Sequence, residues 1–313
     1  MGNNRTWRRA LLAAAAAATV TGATIGVTNV ASADVPAPQD GWTQIWADDF
    51  DGAAGSLPSA ENWIIDTGTS YPGGAPNWGT GEIQTYTNST DNVGHDGAGN
   101  LMITPLRDGS GGWTSARIET TRTDFKPPAG GTLRIEGRLQ VPDVTGAEAM
   151  GYWPAFWALG APFRGVHTNW PAVGEFDVME NVNGTDTVHG VLHCGVAPGG
   201  PCDEFNGIGG NRACPDTTCQ SGFHTYAFEW DDSGPTGELR WYVDGRQYHS
   251  VSETDLTAEA WANMTDHEGY FLLLNVAMGG AFPNGASGTT TPTADTVPGK
   301  PMRVDYVAVS ARG

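Results

Sequence analysis

Basic residues are scarce in this sequence, which has 16 lysines and arginines against 35 aspartates and glutamates. The formal net charge at pH 7 is −19. Nucleic acids and anionic membranes both bind basic surfaces, so neither is expected as a partner. A neutral ligand is compatible with this charge.

Several common catalytic signatures are also missing. The chain has no G-x-S-x-G nucleophile motif, no P-loop and no dinucleotide-binding fingerprint. It has no repeat of fixed period, and no Ser/Thr/Pro-rich or charged tract follows Gly41. We therefore expect one domain over residues 41–313, preceded by a short leader at 34–40.

What the chain has in excess is glycine and tryptophan. The 44 glycines, 12 tryptophans and only 16% charged residues indicate many turns between aromatic-rich strands and exclude a helical bundle. Only Thr254 to Met264 is typical of a helix. The Asp244-Gly245 pair predicts a hairpin. Alternating apolar and polar residues predict half-buried strands at 42–46, 101–103, 115–120, 133–139, 226–230 and 304–309. This pattern favours an all-β fold, a β-jelly-roll sandwich of two antiparallel sheets.

The N-terminal segment resembles a secretion signal. Arg5, Arg8 and Arg9 precede an Ala-rich apolar run, and Ala31-Ser32-Ala33 has the small residues of a cleavage site. We expect residues 1–33 to direct export to the extracellular medium, by the general or the twin-arginine route. An uncleaved membrane anchor is less favoured, because Thr and Gly interrupt the run.

The cysteines at 194, 202, 214 and 219 all lie in one 26-residue window. An exported chain meets an oxidising compartment, so two disulfides are expected. The nearest partners predict Cys194–Cys202 and Cys214–Cys219. A four-cysteine zinc site is the alternative, although no pair has C-x-x-C spacing.

The densest chemical signal is the segment 174–181, where Glu175, Asp177 and Glu180 interrupt an otherwise apolar run. Plain strand alternation puts Glu175 and Asp177 on one face and turns Glu180 away. One extra residue in a β-bulge around Val178-Met179 would return Glu180 to that face.

Three acids on one face suit a retaining glycosidase, in which two carboxyl groups lie about 5–5.5 Å apart across the scissile bond. Glutamate is long enough to lean over its neighbour, so Glu175 and Glu180 are the predicted reacting pair and Asp177 a supporting residue. Repulsion would split their pKa values. A solvated acidic edge and a calcium cluster are the alternatives.

These residues resemble glycoside hydrolase family 16, and specifically its laminarinase-like endo-β-1,3-glucanases with the E-x-D-x-x-E strand. The resemblance is carried by Trp153-Pro154-Ala155-Phe156-Trp157, by Trp170-Pro171 before the acidic strand, and by shorter segments near both ends of the chain. It implies a cleft on the concave sheet, with Glu175 as nucleophile, Glu180 as acid/base and Asp177 assisting. No cofactor is implied for the chemistry.

Candidate substrate contacts lie around the acidic strand. Trp153 and Trp170 are predicted to offer a ring face to a sugar, and Trp157 to pack inside the protein. The resemblance suggests Asn77, Arg117 and Asn275 as partners of sugar hydroxyls.

Two further groups have open interpretations. His193, which shares a strand face with His189, is predicted to hydrogen-bond a sugar or the acid/base, with a structural role as the alternative. The resemblance also implies a structural Ca²⁺ at Asp305, with backbone ligands from Asp49 and Gly99, and a plain surface Asp is the alternative.

The sequence thus predicts a secreted, monomeric, retaining endo-β-1,3-glucanase acting on a polysaccharide. The alternatives are a β-galactan or mixed-linkage glucan hydrolase of the same fold, and a non-catalytic, lectin-like jelly roll. A binding module would need neither glutamate.

Overall fold

The computed structural model describes Met1 and residues 35–313. Apart from Met1, the predicted signal peptide at 1–33 lies outside this part. Residues 35–39 contain no helix or strand. Within the described residues, no helix has the length and apolar character needed to cross a membrane.

Eighteen strands account for most of the regular structure of the described part. The first nine are β1 (Thr43–Asp48), β2 (Trp63–Asp66), β3 (Thr85–Tyr86), β4 (Val93–His95), β5 (Leu101–Ile103), β6 (Leu106–Arg107), β7 (Trp113–Ser115), β8 (Arg117–Thr120) and β9 (Thr132–Gln140). The others are β10 (Tyr152–Gly160), β11 (Glu175–Glu180), β12 (Val188–His193), β13 (Ile208–Arg212), β14 (His224–Asp231), β15 (Glu238–Val243), β16 (Arg246–Ser252), β17 (Tyr270–Met278) and β18 (Met302–Arg312). The two α-helices are α1 (Ala258–Thr265) and α2 (Ala281–Ser287), and four short 3₁₀ turns lie at Pro76–Gly79, Gly146–Ala149, Ala161–Phe163 and Glu253–Asp255.

Two large antiparallel sheets form the sandwich. The eight-stranded sheet has the order β16-β15-β14-β9-β18-β5-β4, with β1 also paired to β18. The seven-stranded sheet has the order β13-β12-β11-β10-β17-β8-β2, so the acidic strand β11 lies between β10 and β12. A small third sheet joins β3, β7 and β6.

The core lies between the two large sheets and is rich in aromatic rings. Phe176 of β11 stacks on Phe228 of β14 at 4.5 Å between ring centroids, and on Tyr270 of β17 at 4.4 Å. Strand β9 shows how alternation builds this core. Leu133, Ile135, Gly137 and Leu139 are buried, and the charged residues that alternate with them are partly exposed. Contacts from strands far apart in sequence therefore fix the position of β11.

The predicted all-β sandwich is confirmed, and each predicted strand lies within or overlaps an observed one. Asp244 and Gly245 close the β15–β16 hairpin with φ values of 48° and 70°, as a tight hairpin turn requires. The strand expected at 115–120 is divided at Ala116, because β7 joins the small sheet and β8 the seven-stranded one. The expected helix at 254–264 is a 3₁₀ turn followed by α1. Helix α2 was not expected, because Pro283 and Gly285 have low helix propensity.

Candidate active site

Strand β11 carries its acids on a bulge. On the β12 side, the two residues between Asp177 and Glu180 lie opposite Gly190 alone, and the pairing with β10 shifts at the same place. Those two residues, Val178 and Met179, are fully buried in the core. The extra residue predicted from the E-x-D-x-x-E spacing is therefore present, and it brings Glu180 back to the face of Asp177.

The bulge is anchored from the opposite sheet. The indole Nε1 of Trp241, in β15, donates a 2.8 Å hydrogen bond to the backbone oxygen of Asp177. Gly190 makes room for this side chain, since a Cβ there would lie 2.5 Å from the Trp241 ring. The core thus supplies a partner to a carbonyl at the start of the bulge.

The two glutamates share a burial effect. The pKa of Glu175 and that of Glu180 are both raised to about 8. Burial is the main cause, and the negative charge of Asp177 is the second. Like charges this close favour retention of a proton by one of them. The cluster can therefore contain a carboxylic acid and a carboxylate at neutral pH.

Different neighbours distinguish the two groups. His193 Nε2 lies 3.9 Å from Glu175 Oε1, and its positive charge lowers the pKa of Glu175. Trp153 Nε1 donates a 2.7 Å hydrogen bond to Glu180 Oε1. The His193 charge also lowers the pKa of Glu180, but the ring lies beside Glu175, so its position favours ionisation there.

His193 is the register partner of Glu175 in the β11–β12 pair. Its ring lies beside Glu175 and Asp177 rather than the predicted acid/base, with Nε2 3.4 Å from Asp177 Oδ2. The predicted contact with a sugar stays a prediction. Glu180 instead pairs with His189, whose ring packs edge-on against Phe282. The strand register thus directs His193 to the predicted nucleophile.

The expectation for Trp157 was wrong. Its side chain is only half-buried, and Nε1 donates a 2.8 Å hydrogen bond to Asn275. Strand alternation puts Trp157 on the same face of β10 as Trp153, whereas Phe156 between them enters the core. Trp153 is also half-buried, as a residue with an available ring face should be.

Arg117 is buried among aromatic rings rather than exposed to the solvent. Its Nε lies 3.1 Å from Asp66 Oδ2, and its Nη2 donates a 2.9 Å hydrogen bond to the hydroxyl of Tyr71. The guanidinium carbon lies 4.7 Å from the ring centroids of both Trp78 and Trp157. Only 5% of the Arg117 surface is exposed, and its guanidinium packs between the rings of Trp78 and Trp157. Its role as a partner of sugar hydroxyls stays a prediction.

The two predicted asparagines lie in different environments. Asn275 is buried, accepts from Trp157 and donates a 3.2 Å hydrogen bond to the hydroxyl of Tyr86. Asn77 is exposed in the 3₁₀ turn at Pro76–Gly79, with φ of 52°. Within the described residues the Asn77 side chain has no hydrogen-bond partner and is open to a ligand, whereas both ends of the Asn275 amide have partners.

The cysteine-rich segment contributes two residues that sequence reasoning missed. Glu204 is buried against His193, with 2.8 Å between Oε2 and Nδ1. The next residue, Phe205, is 68% exposed and lies parallel to Trp170, at 6.2 Å between centroids and 12° between planes. Trp170 itself is half-buried. No periodicity marks this segment, and its only signal is the proximity to Cys202.

The disulfides have the connectivity that the sequence favoured. Cys194 is bonded to Cys202, and Cys214 to Cys219. Within the described part of the chain, no cysteine is free. Both bonds close short loops, so each has a local effect.

The residue predicted to bind calcium through its side chain is buried in β18. Asp305 is ion-paired with Arg138 through Oδ2, and within the described part of the chain its buried Oδ1 has no hydrogen-bond partner. A buried carboxylate oxygen without a partner fits a hard cation. The predicted backbone ligands lie at Gly99, which has φ of 84°, and at the half-buried Asp49.

Comparison with known proteins gives one consistent family. Residues 113–205 match the family model described as "XgeA-like, catalytic GH16 domain". A beta-glucanase of Rhodothermus marinus is 32% identical over 281 residues, which cover 86% of this chain and 85% of that protein.

Solved structures agree with this result. The endo-1,3-beta-glucanase of Streptomyces sioyaensis is 60% identical with a TM-score of 0.87, and the match covers 90% of this chain and 100% of that one. The laminarinase catalytic domain of Thermotoga maritima is 30% identical with a TM-score of 0.65, over 86% of this chain and 98% of that one. The chain therefore belongs to glycoside hydrolase family 16.

Proposed function

We propose that this enzyme is an endo-β-1,3-glucanase that cleaves laminarin-type polysaccharides with retention of anomeric configuration. The observation that carries the proposal is the bulge in β11, which returns Glu180 to the face of Glu175 and Asp177, with His193 beside the last two. The relatives support the substrate, since several are described as 1,3-beta-glucanases or laminarinases.

In the first step, Glu175 attacks the anomeric carbon while Glu180 donates its proton to the glycosidic oxygen. The bond from the anomeric carbon to that oxygen breaks, and a covalent glycosyl ester forms on Glu175. Burial raises the pKa of both glutamates to about 8, so Glu180 can hold the proton that it donates. The His193 charge beside Glu175 favours ionisation of the nucleophile.

In the second step, Glu180 takes a proton from water, whose oxygen attacks the anomeric carbon and releases Glu175. Asp177 assists from between them. Its buried Oδ2 lies 3.4 Å from His193 Nε2 without an aligned hydrogen bond in the described structure, so it can accept one from a group that the reaction brings close.

The proposal is tested by product analysis on laminarin, mixed-linkage β-glucan and a β-galactan. We expect internal cleavage of laminarin, with ¹H NMR showing the β-anomer as the first product. Initial formation of the α-anomer would refute retention. Faster hydrolysis of mixed-linkage glucan or β-galactan would change the substrate, and oligosaccharide binding without hydrolysis would support the lectin-like alternative.

The same proposal includes export of a monomer and a structural Ca²⁺. Two disulfides suit an extracellular enzyme. The carboxylate of Asp305, with backbone oxygens of Asp49 and Gly99, would hold the ion, which has no part in the chemistry. N-terminal sequencing of the protein from culture medium and its sedimentation test the first part. Melting with EDTA, then with added Ca²⁺, tests the second.

A further inference from the structure

Glu204 is a buried carboxyl group that no step of the proposed hydrolysis uses. Its side chain is 0% exposed. Oε1 accepts a 2.9 Å hydrogen bond from the backbone N–H of Cys194, and Oε2 lies 2.8 Å from His193 Nδ1. Burial of a carboxylate costs free energy unless paired or hydrogen-bonded partners offset its desolvation. Here one of those partners is His193, which lies beside the acids of β11.

The His193 ring lies between Glu204 and the reaction centre. Its Nδ1 faces Glu204, and its Nε2 faces Asp177 at 3.4 Å and Glu175 at 3.9 Å. On its own strand, His189 is four residues away and pairs with Glu180. Three carboxyl groups thus surround one imidazole.

The charges of these neighbours decide the state of the ring. From β13, the only charged residue is Arg212, which pairs with Val188 at the far end of β12. The negative charges of Asp177, Glu204 and Glu175 therefore outweigh the effect of burial and raise the pKa of His193 well above its ordinary value. Hydrogen bonds to the charged form act in the same direction.

We infer that Glu204 is a positioning residue that holds His193 as an imidazolium, with Nδ1–H donated to Glu204 and Nε2–H directed at Asp177 and Glu175. This inference rests on the proposed role of Glu175 as nucleophile. The fixed positive charge lowers the pKa of Glu175 and so favours its ionised form, against burial and the charge of Asp177, which raise that pKa. The side chain of Glu204 thus acts on the reaction through His193 and does not touch the substrate.

The loop between the cysteines explains how Glu204 reaches this place. Cys194 directly follows His193, and Cys202 is two residues before Glu204. The disulfide between them ties the two segments together, and backbone hydrogen bonds between Gly199 and Glu204 close the same turn. The disulfide thereby limits the positions that Glu204 can adopt relative to His193.

The protonation state is measured directly by ¹⁵N NMR of the histidine rings in the full protein. In the wild type, we expect both nitrogens of His193 to remain protonated from pH 5 to pH 8. In Glu204→Gln, which keeps the size of the side chain and removes its charge, we expect the His193 titration to move to lower pH by about one unit or more. The matched control is Asp203→Asn, which removes an exposed charge one residue away and should leave the titration unchanged.

The consequence for the reaction is measured by the pH dependence of kcat/KM. The acid limb reports ionisation of the free enzyme's nucleophile. Loss of the His193 charge raises the pKa of Glu175. Loss of the Glu204 charge lowers it directly, but that effect is the smaller of the two. In Glu204→Gln the acid limb should therefore move to higher pH, while Asp203→Asn keeps the wild-type profile. A purely structural role would lower activity equally at every pH.

Two results would overturn the inference: a neutral His193 ring in the wild type at pH 7, or an unmoved acid limb in a folded Glu204→Gln protein. The wild-type spectrum decides the matter even if that variant does not fold. Because the NMR titration needs no turnover, it also separates this inference from the proposed function, which fails if laminarin is not hydrolysed.

Discussion

Glu175 and Glu180 have different neighbours, which support different roles for the two carboxyl groups, as nucleophile and as acid/base. Glu175 has the His193 charge beside it, and Glu180 has the Trp153 indole. We expect Glu175→Gln and Glu180→Gln each to lower kcat on laminarin by at least about 10²-fold, with little change in binding because the replacements are nearly isosteric.

Azide distinguishes the two variants on an aryl β-glycoside with a good leaving group. With Glu180→Gln it should give the β-glycosyl azide, because it attacks the glycosyl ester in place of activated water. With Glu175→Gln it should give the α-azide, since it replaces the nucleophile itself. The same anomer from both variants would contradict the assigned roles.

The Trp153 hydrogen bond tunes the acid/base. By donating to the carboxylate it lowers the pKa of Glu180, against the stronger effect of burial. Activity requires protonated Glu180 and is lost as pH rises through its pKa, near 8. Trp153→Phe should therefore move the alkaline limb of kcat/KM to higher pH. Trp157→Phe is the control, because that indole donates to Asn275 and its loss should leave the limb in place.

The same residues show what sequence can predict at this scale. The odd spacing of Glu180 required an extra residue, and the bulge followed from side-chain length and strand period alone. Trp157 was misplaced because burial of aromatic rings was given more weight than the alternation that puts it beside Trp153. Arg117 could be identified, but its partners Asp66 and Tyr71 come from segments about 50 residues away.

Among the elements, the bulged strand depends on a contact from the opposite sheet. Trp241→Phe removes the indole donor to the Asp177 carbonyl and should lower the free energy of unfolding by about 1–3 kcal/mol, with a lower kcat because the acids lose their fixed positions. Trp230→Phe is a matched control, since that indole is also buried but its N–H has no partner in the described part of the chain. Urea unfolding and laminarin assays on both variants test this. Equal loss of activity in the two would contradict it.

Strands were easier to predict than the segments between them, for a physical reason. Alternation reflects burial on one face, so β9, β14 and β18 are visible in a single sequence. Helix α2 has no such signal, because Pro283 and Gly285 are unusual inside a helix and only Pro283 of its residues is buried. The turn chemistry of Asp244-Gly245 is local, and for that reason the hairpin could be read directly.

At the scale of the whole molecule, the sandwich provides the core, and the cysteine-rich segment adds side chains to the site. The core is built from residues of both large sheets, whereas the segment from Cys194 to Cys219 brings Glu204 and Phe205 to one side of the site. Their positions could not be predicted, because a loop has no period and the His193–Glu204 contact depends on where the disulfide holds the turn. The connectivity itself was predictable, since short loops favour nearest partners.

This separation predicts different consequences for the two disulfides. Each closes a short loop, so removing either should cost about 2–3 kcal/mol, and the sandwich should remain folded. The Cys194→Ser/Cys202→Ser variant should also lose much of its activity, because Glu204 is no longer held against His193. The Cys214→Ser/Cys219→Ser variant loses a comparable loop but keeps that contact, so it should retain its activity while folded. Thermal melts by near-UV circular dichroism, paired with laminarin assays well below the melting temperature, make the comparison. Equal activity in the two variants would show that the first disulfide stabilises the fold without positioning the site.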